Sequence, residues 1–248
     1  MNLKTIVESF HRDGFVIVRQ VFTQAEVART IELVEDFIRT VVPKLGPGSV
    51  YYEDSPARPI KALHGLDEHT DVFAPYLRDR RILDILEAFW PGAEVFPKHR
   101  SVAFFAKPAR DGSVTPPHQD NAFQFWKPPY AAIMTIALDE STPENGPLIC
   151  ARGSHQALLR HRPSGVMGFS KTIDEPFDTR RFPEVSICMK PGDVSIHHIQ
   201  TVHRSEANRS DRSRRQLAFV YQSKLAKQDP DEVARHTQLL KAMHADHK

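Results

Sequence analysis

Residues 115–126, TPPHQDNAFQFW, place a histidine and an aspartate two positions apart, directly before a run of aromatic residues. An imidazole and a carboxylate this close in the chain could bind one metal ion. The sequence contains four His-x-Asp tripeptides, which begin at His11, His69, His118 and His244. A chain with 13 histidines produces such tripeptides by chance as well, so the surrounding pattern has to select among them.

Only one of the four tripeptides lies among predicted strands. His11 is at a helix end, His69 is in a polar stretch and His244 is close to the C-terminus. In a strand, residues i and i+2 point to the same face. We therefore expect one strand to present His118 and Asp120 together to one ion.

The third ligand is expected from the strand-rich half, where the candidates are His155, His161, His197, His198 and His203. His203 is favoured because it follows the strand-like DVSIHHIQ and opens a turn rich in Ser, Asn and Arg. Two histidines and a carboxylate form the facial triad of non-haem Fe(II) oxygenases, although the same ligand types also bind zinc. Of His197 and His198, we predict that one packs within the barrel and the other outside; His155 is interpreted as structural.

The first 92 residues are predicted to be mainly helical. Helices are expected at 3–12, ended by Asp13-Gly14, and at 81–90, with a strand at 15–18 and a loop at 43–59. Thr23 and Glu26 have the spacing of a capping box. The helix that follows it carries an apolar stripe at Val27, Ile31, Val34, Ile38 and Val41.

After residue 93 the pattern changes to short runs rich in β-branched and aromatic residues, at 95–105, 131–138, 185–189, 193–198 and 216–221. Turn signals separate these runs, and 229–247 is predicted to be a closing helix. Helices followed by many short strands indicate one domain, with helices packed on the outside of a β-sandwich or small barrel.

The composition excludes several classes of protein. The net charge of +2 gives no support to a nucleic-acid partner. The two cysteines cannot form a disulfide framework or a CxxC zinc site, which favours a cytoplasmic location. The N-terminus lacks a signal-peptide core, and no stretch has the apolar length of a membrane span. The oligomeric state is not predicted.

Five motifs occur in a characteristic order: HQD at 118–120, ENGPL at 144–148, GSH at 153–155, PGD at 191–193 and HRSEANRSDRSRR at 203–215. Together they resemble the phytanoyl-CoA dioxygenase family of Fe(II)- and 2-oxoglutarate-dependent oxygenases. The resemblance implies a mainly β fold with flanking α-helices, a cupin-like double-stranded β-helix (jelly roll). Within a single oxygenase domain, 1–248, it implies helical support at 1–92, the β-helix core at 93–222 and a C-terminal helix at 223–248.

The resemblance also implies site residues. Iron would be bound by His118, Asp120 and His203. The co-substrate 2-oxoglutarate would contact Arg214, Ser205, Lys61 and Thr135. A planar guanidinium can bind a carboxylate through two hydrogen bonds, which suits Arg214, although Arg212 and Arg215 are alternatives in the same run. Phe123, Phe125 and Trp126 are expected to wall a substrate pocket.

The activity implied is oxidation, most simply hydroxylation, of a small-molecule metabolite by O₂, with release of succinate and CO₂. Asp120 argues against a halogenase, which has a small residue at that position. The substrate is not identified: Lys107, Arg110, Lys127 and His99 hint at an anionic one, but a solvated rim is the preferred interpretation. Two alternatives stay open, a metal-dependent cupin-type enzyme that does not use 2-oxoglutarate and a non-catalytic metabolite-binding protein on the same fold.

Overall fold

The computed structural model of the protein describes residues 2–46, 48–166, 169–174 and 177–245. Its α-helices are α1 (Leu3–Asp13), α2 (Gln24–Thr40), α3 (Ala74–Leu77), α4 (Arg80–Phe89), α5 (Asn121–Gln124) and α6 (Pro230–Ala245). Its β-strands are β1 (Phe15–Val18), β2 (Val50–Tyr52), β3 (Ile60–His64), β4 (Val95–Lys107), β5 (Thr115–His118), β6 (Trp126–Lys127), β7 (Ala131–Ala137), β8 (Leu148–Ala151), β9 (His161–Val166), β10 (Phe169–Ile173), β11 (Glu184–Ile187), β12 (Val194–His198), β13 (His203–Ser205), β14 (Arg214–Ser223) and β15 (Lys227–Gln228). Short 3₁₀ turns cover Val42–Lys44, Leu66–Glu68, Pro143–Asn145 and Ser154–Gln156.

Two antiparallel sheets form the body of the protein. The larger has seven strands in the order β1-β12-β7-β14-β4-β3-β2, and the smaller has four in the order β11-β8-β13-β5. Neighbours within each sheet are largely distant in the chain, as in a jelly roll. The predicted fold class, a double-stranded β-helix with flanking helices, is confirmed.

The main hydrophobic core lies between the large sheet and the N-terminal helices. Phe10 of α1 stacks on Phe89 of α4, with ring centroids 3.7 Å apart. Gly14 ends α1 in the left-handed conformation, at φ 85°, which explains the Asp-Gly stop signal. The capping box of Thr23 and Glu26 starts α2 as predicted.

The structure corrects the predicted loop at 43–59. Residues Val50–Tyr52 form β2, which pairs with β3 and extends the large sheet beyond β4. These strands are short and lie among Gly and Pro residues, which hid their periodicity. Residues 1–92 thus contribute β1, β2 and β3 to the sheet in addition to helices, and the predicted domain division stays a prediction.

The pleat of the large sheet sends alternate residues to opposite sides. On β12, Val194 and Ile196 join the main core, whereas Ser195 and His197 face the opposite way, toward the small sheet. Thr135 lies opposite Ser195 on the neighbouring strand. The polar residues of these strands therefore line the barrel interior. No helix in the described residues has the length and apolar character needed to cross a membrane.

Candidate metal centre

His118 and Asp120 meet at the end of β5, but not by the predicted route. The strand ends at His118, and Asp120 has helical backbone angles, φ −61° and ψ −29°, directly before α5. The expectation that both residues lie in one strand was therefore wrong. The carbonyl of Asp120 accepts hydrogen bonds from the amides of Phe123 and Gln124, which hold the backbone here in the first turn of α5.

His203 reaches the same point from β13, which pairs with β5. Its Cα lies opposite that of His118, and the two ring centroids are 4.2 Å apart. The Nε2 atoms of His118 and His203 lie 3.7 and 3.8 Å from the two carboxylate oxygens of Asp120. Within the part of the chain that the structure describes, these residues form the one group of potential metal ligands whose donor atoms all lie within 4.8 Å of one another.

Backbone carbonyls determine which ring nitrogen of each histidine carries the proton. His118 Nδ1 lies 2.8 Å from the carbonyl of Pro116, and His203 Nδ1 lies 3.0 Å from that of Thr201. A carbonyl only accepts, so both Nδ1 atoms donate and both Nε2 atoms keep a lone pair. The lone pairs point to the side where Asp120 lies, which is the arrangement that a metal ion requires.

Burial favours the protonation states that bind metal. It lowers the pKa of His203 to about 3 and lowers that of His118 in the same direction, so both rings are neutral at pH 7. Burial opposes ionisation of Asp120, but the adjacent His203 and the hydrogen bond from His197 together hold its pKa below the usual value. Two neutral imidazoles and one carboxylate fit a divalent metal.

Solvent reaches the centre from one side. The side chain of Asp120 is 23% exposed, compared with 4% for His118 and 7% for His203. The imidazoles are thus enclosed by the two sheets, and the carboxylate lies at the opening. A small molecule can approach the metal position from the side of Asp120.

His197 is a fourth polar side chain at the centre, and the sequence interpretation did not assign it there. Its Nε2 lies 3.1 Å from Asp120 Oδ2, and its ring centroid is 4.7 Å from that of His203. His198 points to the other side of β12, near Phe10. One of the two adjacent histidines, His197, therefore faces the barrel interior and the other, His198, faces outward, as predicted. The alternation Val-Ser-Ile-His at 194–197 was the signal that His197 faces inward.

Arg214 is the buried arginine of its run. Arg212 is exposed near Glu140 and Arg215 pairs with Asp139, whereas Arg214 is 5% exposed. Its guanidinium donates to the carbonyl of Gly146 at 2.8 Å and to the side chain of Gln216, and its Nε has no partner in the part of the chain that the structure describes. In the described residues, no carboxylate oxygen lies within 4.0 Å of this guanidinium. A buried charge without a counterion indicates an anion-binding site.

Two buried lysines join Arg214 in what we call the cation cluster: Lys61, Lys107 and Arg214. Lys107 lies opposite Arg214 in the β4–β14 pair and is 4% exposed, so the predicted solvated rim was wrong for this residue. Lys61 Nζ donates to Ser113 Oγ at 2.8 Å, and Lys107 Nζ donates to the carbonyl of Ser113. Glu53 is the buried carboxylate of the cluster, 3.9 Å from Lys61.

The remaining predicted co-substrate residues lie inside the barrel. Ser205 is buried two positions after His203 on β13, and Thr135 is buried on β7 between β12 and β14. Ser195 Oγ and Gln216 Nε2, beside them on the interior face, are buried and have no hydrogen-bond partner among the described residues. These orphaned atoms fit a polar ligand in the space between the sheets.

The predicted aromatic wall is only partly at the centre. The ring of Phe123 is 5.7 Å from His118, and Phe169 of β10, which the sequence interpretation missed, contacts His118 from another side at 5.6 Å. Phe125 lies beside Lys171, and Trp126 packs in a separate small core with Ile199. Lys61 Nζ lies 5.4 Å from the centroid of the same Phe169 ring.

The other candidate histidines are occupied elsewhere. His155 Nε2 contacts the backbone of α1, in agreement with a structural role, and His161 Nε2 accepts a hydrogen bond from the amide of Gln119. Neither His155 nor His161 belongs to the group around Asp120.

Asn208 closes its turn by donating to three carbonyls, as turn chemistry predicts.

Comparison with known proteins places the chain in a family. The model of the family described as "Phytanoyl-CoA dioxygenase (PhyH)" matches residues 10–216, which is most of the chain. The chain belongs to the phytanoyl-CoA dioxygenase family. Membership confirms the resemblance found in the motifs. The expected class of enzyme and its cofactors, iron, 2-oxoglutarate and O₂, are confirmed at the level of this family.

Individual relatives are more distant. The chain is 37% identical over 119 residues to a phytanoyl-CoA dioxygenase of Arabidopsis thaliana; this match spans 46% of the chain and 40% of the relative. It is 27% identical over 219 residues to a probable alpha-ketoglutarate-dependent hypophosphite dioxygenase of Stutzerimonas stutzeri, over 84% of the chain and 74% of the relative. EctD from S. alaskensis, crystallised with 2-oxoglutarate and 5-hydroxyectoine, has the same fold, with a TM-score of 0.72, 23% identity and coverage of 90% of this chain and 76% of EctD.

Proposed function

We propose that the protein is an Fe(II)- and 2-oxoglutarate-dependent dioxygenase that hydroxylates, or otherwise oxidises, a small-molecule metabolite. The observation that carries the proposal is the buried guanidinium of Arg214, which has no carboxylate oxygen within 4.0 Å among the described residues, in the same barrel as a His-Asp-His triad. Either feature alone has a simpler explanation. A metal centre combined with an anion site in one barrel is what a chelating co-substrate with a distal carboxylate requires.

His118, Asp120 and His203 would hold the iron through two Nε2 atoms and one carboxylate oxygen. The residues fit the ion because their donor atoms converge and their imidazoles are neutral with Nδ1 protonated. Bound iron supplies the redox chemistry that activates O₂. The protein's part is to bind and orient the reactants and to leave three coordination positions free.

Arg214 would hold the distal carboxylate of 2-oxoglutarate, with Ser205, Thr135 and Lys61 completing its polar surroundings. The charge balance supports a dicarboxylate: against one buried carboxylate, Glu53, the cluster has an excess of one positive charge when Lys107 is neutral and of two when a bound anion restores its proton. A ligand with two negative charges would neutralise that excess in a buried space, where water does not solvate the charges.

The overall reaction balances with these components. Reduction of O₂ takes four electrons, two from the oxidative decarboxylation of 2-oxoglutarate to succinate and CO₂ and two from the substrate, which gains a hydroxyl group. The substrate would enter from the side of Asp120, where the centre is open and where Phe123 and Phe169 flank His118. Phe125 and Trp126 lie further away and are assigned no contact with it.

The names of the relatives support the class of reaction and do not select a substrate, because hypophosphite and ectoine derivatives share little chemistry. A small-molecule substrate suits the enclosed centre. A cytoplasmic location and the absence of a nucleic-acid partner remain predictions. A cupin-type enzyme without 2-oxoglutarate gives no reason for the buried charge of Arg214, and a non-catalytic binding protein gives no reason for the convergent His-Asp-His triad.

Succinate formation tests the proposal. Purified protein with Fe(II), 2-oxoglutarate and O₂ should convert 2-oxoglutarate slowly to succinate, and a panel of metabolites should contain one that accelerates the conversion. Arg214→Ala should abolish the conversion, and Arg212→Ala, which removes an exposed arginine of the same run, should leave it unchanged. Iron binding without succinate formation in any condition would contradict the proposal and favour one of the alternatives.

A further inference from the structure

The hydrogen bond between His197 and Asp120 suggests a role for a residue outside the triad. His197 Nε2 lies 3.1 Å from Asp120 Oδ2, and the side chain is 5% exposed. An ionised carboxylate only accepts, so the proton of this hydrogen bond is on His197 Nε2. His197 Nδ1 is buried and has no hydrogen-bond partner within the described ranges of the chain.

This protonation is the opposite of that of the ligand histidines. His118 and His203 donate from Nδ1 to carbonyls and keep the Nε2 lone pair for the metal. His197 carries its proton on the nitrogen that faces the centre, so that nitrogen cannot coordinate an ion. His197 is also absent from the group of donor atoms that converge around the metal position.

We infer that His197 is a positioning residue that holds one oxygen of Asp120 by a hydrogen bond, so that the carboxylate binds the metal through its other oxygen alone. An aspartate that binds through both oxygens would occupy a further coordination position. The centre needs three free positions for 2-oxoglutarate and O₂, so a restrained carboxylate keeps it competent. The inference rests on the proposed function for this purpose, but the hydrogen bond itself can be tested without it.

The neighbourhood of His197 supports a rigid arrangement. His197 lies on a central strand of the large sheet, with Phe15 and Ile133 opposite it on the two adjacent strands. Its ring packs beside His203. Both neighbouring strands and the ligand ring thus restrict its rotation, which keeps the donor aimed at the carboxylate.

The test is the affinity of the metal-free protein for Mn(II), measured by calorimetry without 2-oxoglutarate. His197→Phe retains a ring and loses the donor, and should weaken binding about 10–100-fold, as loss of such an outer hydrogen bond does. His197→Gln places an amide N–H near the lost Nε2 and should stay within a few-fold of the original protein. His198→Gln, on the opposite face of β12, should leave the affinity unchanged.

Two results would overturn the inference. Unchanged affinity in His197→Phe would mean that the hydrogen bond does not position the ligand. Equal losses in His197→Phe and His197→Gln would make His197 a metal ligand or a packing residue. His197→Leu serves in the same comparison if the phenylalanine variant does not fold. Because neither O₂ nor 2-oxoglutarate is present, failure here is distinct from failure of the proposed reaction.

Discussion

Lys107 gives the most quantitative prediction, that 2-oxoglutarate binding takes up a proton. Burial, followed by the charge of Arg214, lowers the pKa of Lys107 from 10.5 to about 7. Glu53 and Glu206 act in the opposite direction and Lys61 adds to the lowering. A dicarboxylate bound in the cation cluster would bring negative charge close to Lys107, raise its pKa and return the lysine to its charged form.

The size of the effect follows from that pKa. At pH 8, about nine tenths of Lys107 is neutral before 2-oxoglutarate binds, so binding should take up roughly 0.9 proton. The affinity for 2-oxoglutarate should then fall about tenfold for each pH unit above 7. The same shift affects stability: between pH 7 and 10.5 the unfolded chain binds the extra proton, so the contribution of Lys107 to stability rises with pH across that window.

Calorimetry of the Mn(II)-loaded protein measures this uptake. At pH 8, titration with 2-oxoglutarate in buffers of different ionisation enthalpy should give a binding enthalpy that varies with the buffer, and Lys107→Met should remove the variation. Lys127→Met, which changes an exposed lysine, is the matched control. A binding enthalpy that does not depend on the buffer in the original protein, or a dependence kept in full by Lys107→Met, would contradict proton uptake by Lys107.

Two further changes separate co-substrate binding from stability. Arg214→Lys keeps the charge and loses the planar pair of donors. The affinity for 2-oxoglutarate should therefore fall roughly 10–100-fold, which corresponds to the loss of one charged hydrogen bond. Equal affinity of the variant and the original protein in direct binding assays would contradict the role of Arg214. Phe10→Ala removes a buried ring stacked on Phe89 and should cost about 3–5 kcal/mol in urea unfolding, against less than about 0.5 kcal/mol for Leu3→Ala, which is 46% exposed.

Local sequence patterns predicted the main helices and the central strands of the large sheet, but not β5, β8 and β13 of the small sheet, two of which carry the ligand histidines. The capping box, the Asp-Gly stop and the alternating runs correspond to α2, α1 and the central strands. These signals come from residues close in the chain, so a single sequence contains them. The strands β2 and β3 lacked such a signal because they join the sheet only through the pairing of β3 with β4, about 40 residues away.

The contents of the barrel were harder to predict. Lys107 looked like a rim residue, since a lysine at a strand end is usually solvated. Its burial beside Arg214 arises from the register of β4 against β14, which sequence alone does not provide. One of His197 and His198 was predicted to lie inside the barrel, without a choice between them. The alternation of His197 with the apolar Ile196 already indicated that His197 points inward.

Spectroscopy of the anaerobic complex tests the central claim most directly. Fe(II) and 2-oxoglutarate added together should produce a visible metal-to-ligand charge-transfer band that saturates at one iron per chain, and neither should produce it alone. His203→Ala should lose the band, whereas His155→Ala, a histidine outside the centre, should retain it. A band that survives in His203→Ala, or iron bound by the original protein with no band on adding 2-oxoglutarate, would contradict the account.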